Sequence, residues 1–91
     1  MAIQFFNNPK LRDNVKIELG DSSDLQIYHD GNSKIETSTA SAGDLFITAQ
    51  GSGHDLYLQA ADDIFIRPQA GENGVVIVGN AEVKLYYNNV V

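Results

Sequence analysis

Asp44-Leu45-Phe46-Ile47 recurs along this chain in near copies. Asp55-Leu56-Tyr57-Leu58 and Asp63-Ile64-Phe65-Ile66 follow it, and Asp24-Leu25-Gln26-Ile27 precedes it. Looser versions are Asn14-Val15-Lys16-Ile17, Lys34-Ile35-Glu36-Thr37 and Glu82-Val83-Lys84-Leu85. In nearly every copy the second and fourth positions are apolar. This is the two-residue period of a strand with one face turned inward. Turn formers separate the copies: Gly20-Asp21-Ser22-Ser23, His29-Asp30-Gly31-Asn32-Ser33, Gly51-Ser52-Gly53, Gly71-Glu72-Asn73-Gly74 and Gly79-Asn80-Ala81. The reading is an all-β array of short strands, with no helical periodicity to compete with it.

The spacing refines this reading. The first inward residues stand at 15, 25, 35, 45, 56, 64, 75 and 83. From Leu45 onward the intervals alternate between 11 and 8, so a 19-residue unit of two strands repeats. Leu45, Ile64 and Val83 correspond within it, as do Leu56 and Val75. Such spacing fits a meander, sandwich, barrel or β-solenoid. A weak strand is expected at Ile35–Thr37, and the small-residue tract Ser38–Gly43 reads as a linker. Residues 1–13 fall outside the repeat, because Asn7-Asn8-Pro9 interrupts the alternation of Ile3 and Phe5. The expected organisation is a lead-in segment, 1–13, and a repetitive β domain, 14–91.

Composition narrows the function. Ninety-one residues make one small domain, with no cysteine for disulfides or thiolate metal sites. The net charge of −6 and the scattered lysines and arginines speak against nucleic acid. No apolar run has the length of a membrane span, and the N-terminus does not read as a signal peptide. The expectation is a soluble, acidic, non-secreted β domain. The slot between the two inward residues is itself apolar in several copies, at Phe46, Tyr57, Phe65 and Val76. A sheet with one solvated face carries polar residues there. An aromatic stripe needs cover, and one small chain has little material to provide it. Burial between chains is the favoured reading.

Three stretches carry a resemblance. Leu25-Gln26-Ile27-Tyr28-His29-Asp30-Gly31-Asn32-Ser33-Lys34-Ile35 is the first, and Gly43-Asp44-Leu45-Phe46-Ile47 the second. The third is Ile77-Val78-Gly79-Asn80-Ala81-Glu82-Val83-Lys84-Leu85-Tyr86-Tyr87-Asn88. Together they resemble the repeat region of tail-fibre proteins of tailed bacteriophages, especially marine ones, over residues from about 14 to 89. The resemblance implies an elongated homotrimer of short repeated strands, of the triple β-helix or β-prism fibre type. It implies a structural role in the virion's tail fibre, as a rigid shaft that supports host-receptor attachment. Its partners would be two further copies of itself, other tail-fibre domains and a host surface glycan. The protein would be made in the host cytoplasm and end in the virion. The His-x-His iron-binding motif of some fibre tips is missing, and Met1 to Arg12 match no such repeat, so a shaft is implied rather than a tip.

Candidate sites follow from these readings. The expected trimer core and interface are Leu25, Ile27, Leu45, Phe46, Ile47, Leu56, Tyr57, Leu58, Ile64, Phe65, Ile66, Val75, Ile77, Val83 and Leu85. Tyr28 and His29, beside a turn, are the candidates for surface recognition. Asp24, Asp44, Asp55 and Asp63 each precede a strand, but no calcium-loop spacing surrounds them. They read as turn residues bonding local amides, with no metal. His29-Asp30 and His54-Asp55 are sequence neighbours, which point to opposite faces of a strand, and no nucleophile motif accompanies them. Neither catalysis nor a cofactor is expected. A monomeric carbohydrate-binding sandwich or barrel, with tyrosines as the sugar platform, is the alternative.

Overall fold

The computed structural model describes residues 2–38, 40–87 and 90. Met1 and Val91, at the ends of the two expected segments, lie outside them, as do Thr39 of the linker tract and Asn88 of the third quoted stretch. Among the described residues the protein is all-β, with two antiparallel three-stranded sheets and no helix. The chain divides into two compact units, 1–48 and 49–91, each holding one sheet.

In the first unit β1 (Ile17–Leu19), β2 (Leu25–His29) and β3 (Ser33–Thr37) form a meander in that order. The β2–β3 reversal uses Asp30-Gly31-Asn32. Gly31 sits at φ 105°, where a side chain would be strained. The Asn32 amide donates to Asp30 Oδ1 at 3.2 Å, the Asx turn that the residue types foretell. Lys34 Nζ closes the loop on Asp30 Oδ2 at 3.0 Å. The expected weak strand at Ile35–Thr37 is in fact five residues long and pairs along its whole length with β2. Residues 2–16 form no strand, yet the segment is tied down, since Asn14 N donates to the His29 carbonyl at 2.8 Å.

In the second unit β4 (Ile64–Ile66), β5 (Val75–Ile77) and β6 (Val83–Leu85) make a second meander. The register pairs Ile64 with Ile77, and Ile77 with Val83. The β5–β6 turn closes through Val78 N to the Glu82 carbonyl at 2.9 Å, with Asn80 at φ 58°. Asp63 does not serve a local turn as expected. Its Oδ1 instead accepts the Gly79 amide at 3.0 Å, sixteen residues along, and pins that turn to the start of β4.

The sharpest copies of the repeat, Asp44–Ile47 and Asp55–Leu58, are not strands here, contrary to expectation. A strand exists only by virtue of a partner for its backbone groups. Alternation marks which faces a segment could present and does not supply that partner. Between Leu58 and Ile64 the link is Gln59-Ala60-Ala61-Asp62-Asp63, with alanine where the β5–β6 turn has Gly79-Asn80.

Candidate interaction surface

Each sheet sorts its residues as period-two alternation requires. In the first, Ile17, Ile27 and Ile35 lie opposite one another across three strands, and Leu19 pairs with Leu25. The other face carries Glu18, Gln26 and Glu36 in one row and Tyr28 opposite Lys34 in the next.

Burial runs the reverse of the usual pattern. Gln26, Tyr28, Lys34 and Glu36 are half-buried, while Ile35 is 57% and Ile27 36% exposed. The polar face covers itself. Lys16 Nζ donates to Gln26 Oε1 at 2.9 Å and lies 4.5 Å from the Tyr28 ring centroid, with Lys34 Nζ at 5.7 Å. The Tyr28 hydroxyl donates to Glu36 Oε1, and Ser23 Oγ donates to Glu18 Oε2 at 2.6 Å. The hydrogen bond to Glu36 raises the Tyr28 pKa, with desolvation second. Lys34 holds the Asp30 carboxyl below its ordinary value. The aliphatic face has no such cover. Exposed aliphatic residues alone are common, but here Ile17, Leu19, Ile27 and Ile35 are all exposed on one face, with Leu25 half-buried, while Glu18 is the only exposed one of the five named on the other, and such an open aliphatic face is a candidate contact surface.

Two shallow grooves occupy this face. One, of about 430 Å³, runs from Leu11 and Val15 over Ile17, Ile27 and Ile35. The other, of about 390 Å³, lies between Phe5, Pro9, Leu11 and Ile17. Val15 is the first inward residue expected of the repeat, although β1 begins two residues later, at Ile17. Phe5, Pro9 and Leu11 were not singled out in the sequence, because they stand outside the repeat. The available signal was the cluster of apolar side chains around Pro9, which four-residue copies pass over.

The second sheet follows the same plan. Ile64, Ile66, Val75, Ile77, Val83 and Leu85 share one face by register, and four of the six are exposed. The opposite row is Phe65, Val76 and Lys84, with the Arg67 guanidinium 5.1 Å from the Phe65 ring centroid. Val76, 5% exposed, is the one buried hydrophobic among the described residues. Outside the sheets, Leu45, Ile47, Leu56 and Leu58 are exposed, and Phe46 and Tyr57 reach 80% and 84%. The chain exposes 8287 Å² in all, whereas two separate compact bodies of roughly 5 kDa would together expose only about 6,300 Å².

The recognition candidates Tyr28 and His29 are also placed, as is the second histidine. His29 Nδ1 lies 3.0 Å from Ser33 Oγ, and His54 Nδ1 lies 2.7 Å from the Gln50 carbonyl. Each imidazole thus serves its own turn. A sugar stacking on Tyr28 would compete with two ammonium groups already drawn to the ring. No group of three or more metal-ligating side chains occurs among the described residues. No protein family, curated protein or solved structure matches the chain.

Proposed function

We propose that this chain is a structural segment of a bacteriophage tail fibre, assembled as a homotrimer and acting as a stiff shaft. The observation that carries the reading is the inverted burial. In each unit the aliphatic face is substantially open to solvent, and in the first the polar face is the better covered. Side chains of that kind lower the free energy only when something apolar covers them. The excess exposure of about 2,000 Å² per chain is of the size that obligate assemblies bury. Threefold symmetry and the place in the virion come from the resemblance of the repeat to tail-fibre sequences.

The mechanism is mechanical. Three aliphatic faces close around a common axis, and interchain backbone pairing removes open sheet edges. The rod that results transmits position between the domains at its ends and does no chemistry. Other tail-fibre domains, and through them a host surface glycan, are its partners.

Absolute mass by light scattering across a dilution series tests the proposal. Three times the 9.9 kDa chain mass, persisting on dilution, is expected. A well-folded species at the single-chain mass refutes it.

A further inference from the structure

The 19-residue repeat maps the β5–β6 pair onto a pair the chain does not form. Stepping back by one repeat, Val75-Val76-Ile77 becomes Leu56-Tyr57-Leu58, and Val83-Lys84-Leu85 becomes β4, Ile64-Phe65-Ile66. The observed register of Val75 with Leu85, Val76 with Lys84 and Ile77 with Val83 then becomes Leu56 with Ile66, Tyr57 with Phe65 and Leu58 with Ile64. The side chains fit that register, because all four apolar outer positions fall on the aliphatic face and Tyr57 meets Phe65 on the other. Among the described residues, β4 has β5 on one edge and no strand on the other. A seat and a matching strand both exist, and they are not joined.

The connecting turn supplies the reason. The β5–β6 reversal needs Asn80 at φ 58°, a conformation asparagine tolerates. Gly79 beside it meets a separate restraint, since an added Cβ would stand 2.6 Å from the Asp62 carbonyl oxygen, in the lead to β4 and outside the turn. The corresponding residues before β4 are Ala60 and Ala61. An alanine in the left-handed region is roughly five- to thirtyfold disfavoured. The same reversal therefore closes poorly within one chain. A second chain meets no such restraint, because its strand reaches the edge without passing through that turn.

We infer that residues 55–59 of one copy add to the free edge of β4 in a neighbouring copy, antiparallel, in the register Leu56–Ile66, Tyr57–Phe65 and Leu58–Ile64. This rests on the assembly proposed above and specifies one of its interchain contacts. The occupant is a second copy because the repeat supplies the register and the Ala60-Ala61 turn disfavours the chain's own strand.

The protein contains no cysteine, so introduced thiols are unambiguous. Full-length chains carrying Tyr57→Cys and Phe65→Cys, differently tagged, would be co-expressed and oxidised. A covalent heterodimer is expected, with far less linkage between Tyr57→Cys and an off-register Gln69→Cys. A double variant linked within one chain overturns the inference, as does an assembled protein with no link between positions 57 and 65. A single-chain mass for the unaltered protein sinks the assembly itself, which separates the two failures. The Ala60→Gly/Ala61→Asn variant gives a second test, since it restores the chemistry of the β5–β6 turn. It should move the link from between chains to within one, and an unchanged interchain link would refute the role given to the turn.

Discussion

Replacing Ile27 by aspartate tests the aliphatic face directly. Ile27 is central in β2, opposite Ile17 on one side and Ile35 on the other, and remains 36% exposed in the single chain. Covering an isoleucine fully stabilises by about 2 kcal/mol, so covering the third of Ile27 still open contributes about 0.7 kcal/mol per chain and about 2 kcal/mol per trimer. Desolvating an unpaired carboxylate adds to that cost. At about 1.4 kcal/mol per tenfold, the apolar loss alone lowers the overall association constant by about one and a half powers of ten. For three chains joining in one step, the concentration at half-assembly varies as the inverse square root of that constant, and so rises about fivefold, and further with the charge. Light scattering over a dilution series reads this shift, and circular dichroism shows whether the β signal survives. Ile27→Val, which keeps the side chain apolar and buries no charge, should move the midpoint far less. If Ile27→Asp dissociates at the same concentration as the unaltered protein, this face is not the interface.

Gly79→Ala should destabilise by about 1–3 kcal/mol, because its Cβ would meet the Asp62 carbonyl oxygen at 2.6 Å and the backbone must shift; thermal unfolding measures it. Gly53→Ala separates space from strain, since nothing lies within 4 Å of its added Cβ but φ is +81°. It too should lower the melting temperature. The Asp30 carboxyl is held below its ordinary value of 3.8 by Lys34, so its contribution is present above that value and lost as pH falls through the lower folded one. Asp30→Asn should flatten the acid limb of melting temperature against pH. Tyr28 behaves oppositely. Its pKa is raised above 10.0 by the bond to Glu36, so the contribution is complete below 10.0 and lost as pH rises through the raised value. Tyrosinate absorbance should show a late-titrating group that Tyr28→Phe removes.

The legible parts of this protein were those that depend on local chemistry. Asp30-Gly31-Asn32 makes a hairpin turn because its residue types bond their own backbone and tolerate positive φ. The alternation at Leu25–Ile27 and Ile64–Ile66 set which residues share a face, since successive strand residues always oppose one another. Less legible was the place of the lead-in segment. Phe5, Pro9 and Leu11 line a groove beside Ile17, and no periodicity announces a contact made by an irregular segment.

Sequence alone determined the all-β class, the faces of each strand and the excess of apolar surface over what one chain can cover. Tertiary structure decided which repeats find partners. Ile35–Thr37, weak by pattern, is a full strand because the Asp30–Asn32 turn brings it beside β2. Asp44–Ile47 and Asp55–Leu58, strong by pattern, stay unpaired in the single chain. A side-chain pattern records which face a segment offers. Whether a backbone partner arrives depends on the turns and on other chains, and four-residue periodicity carries no record of either.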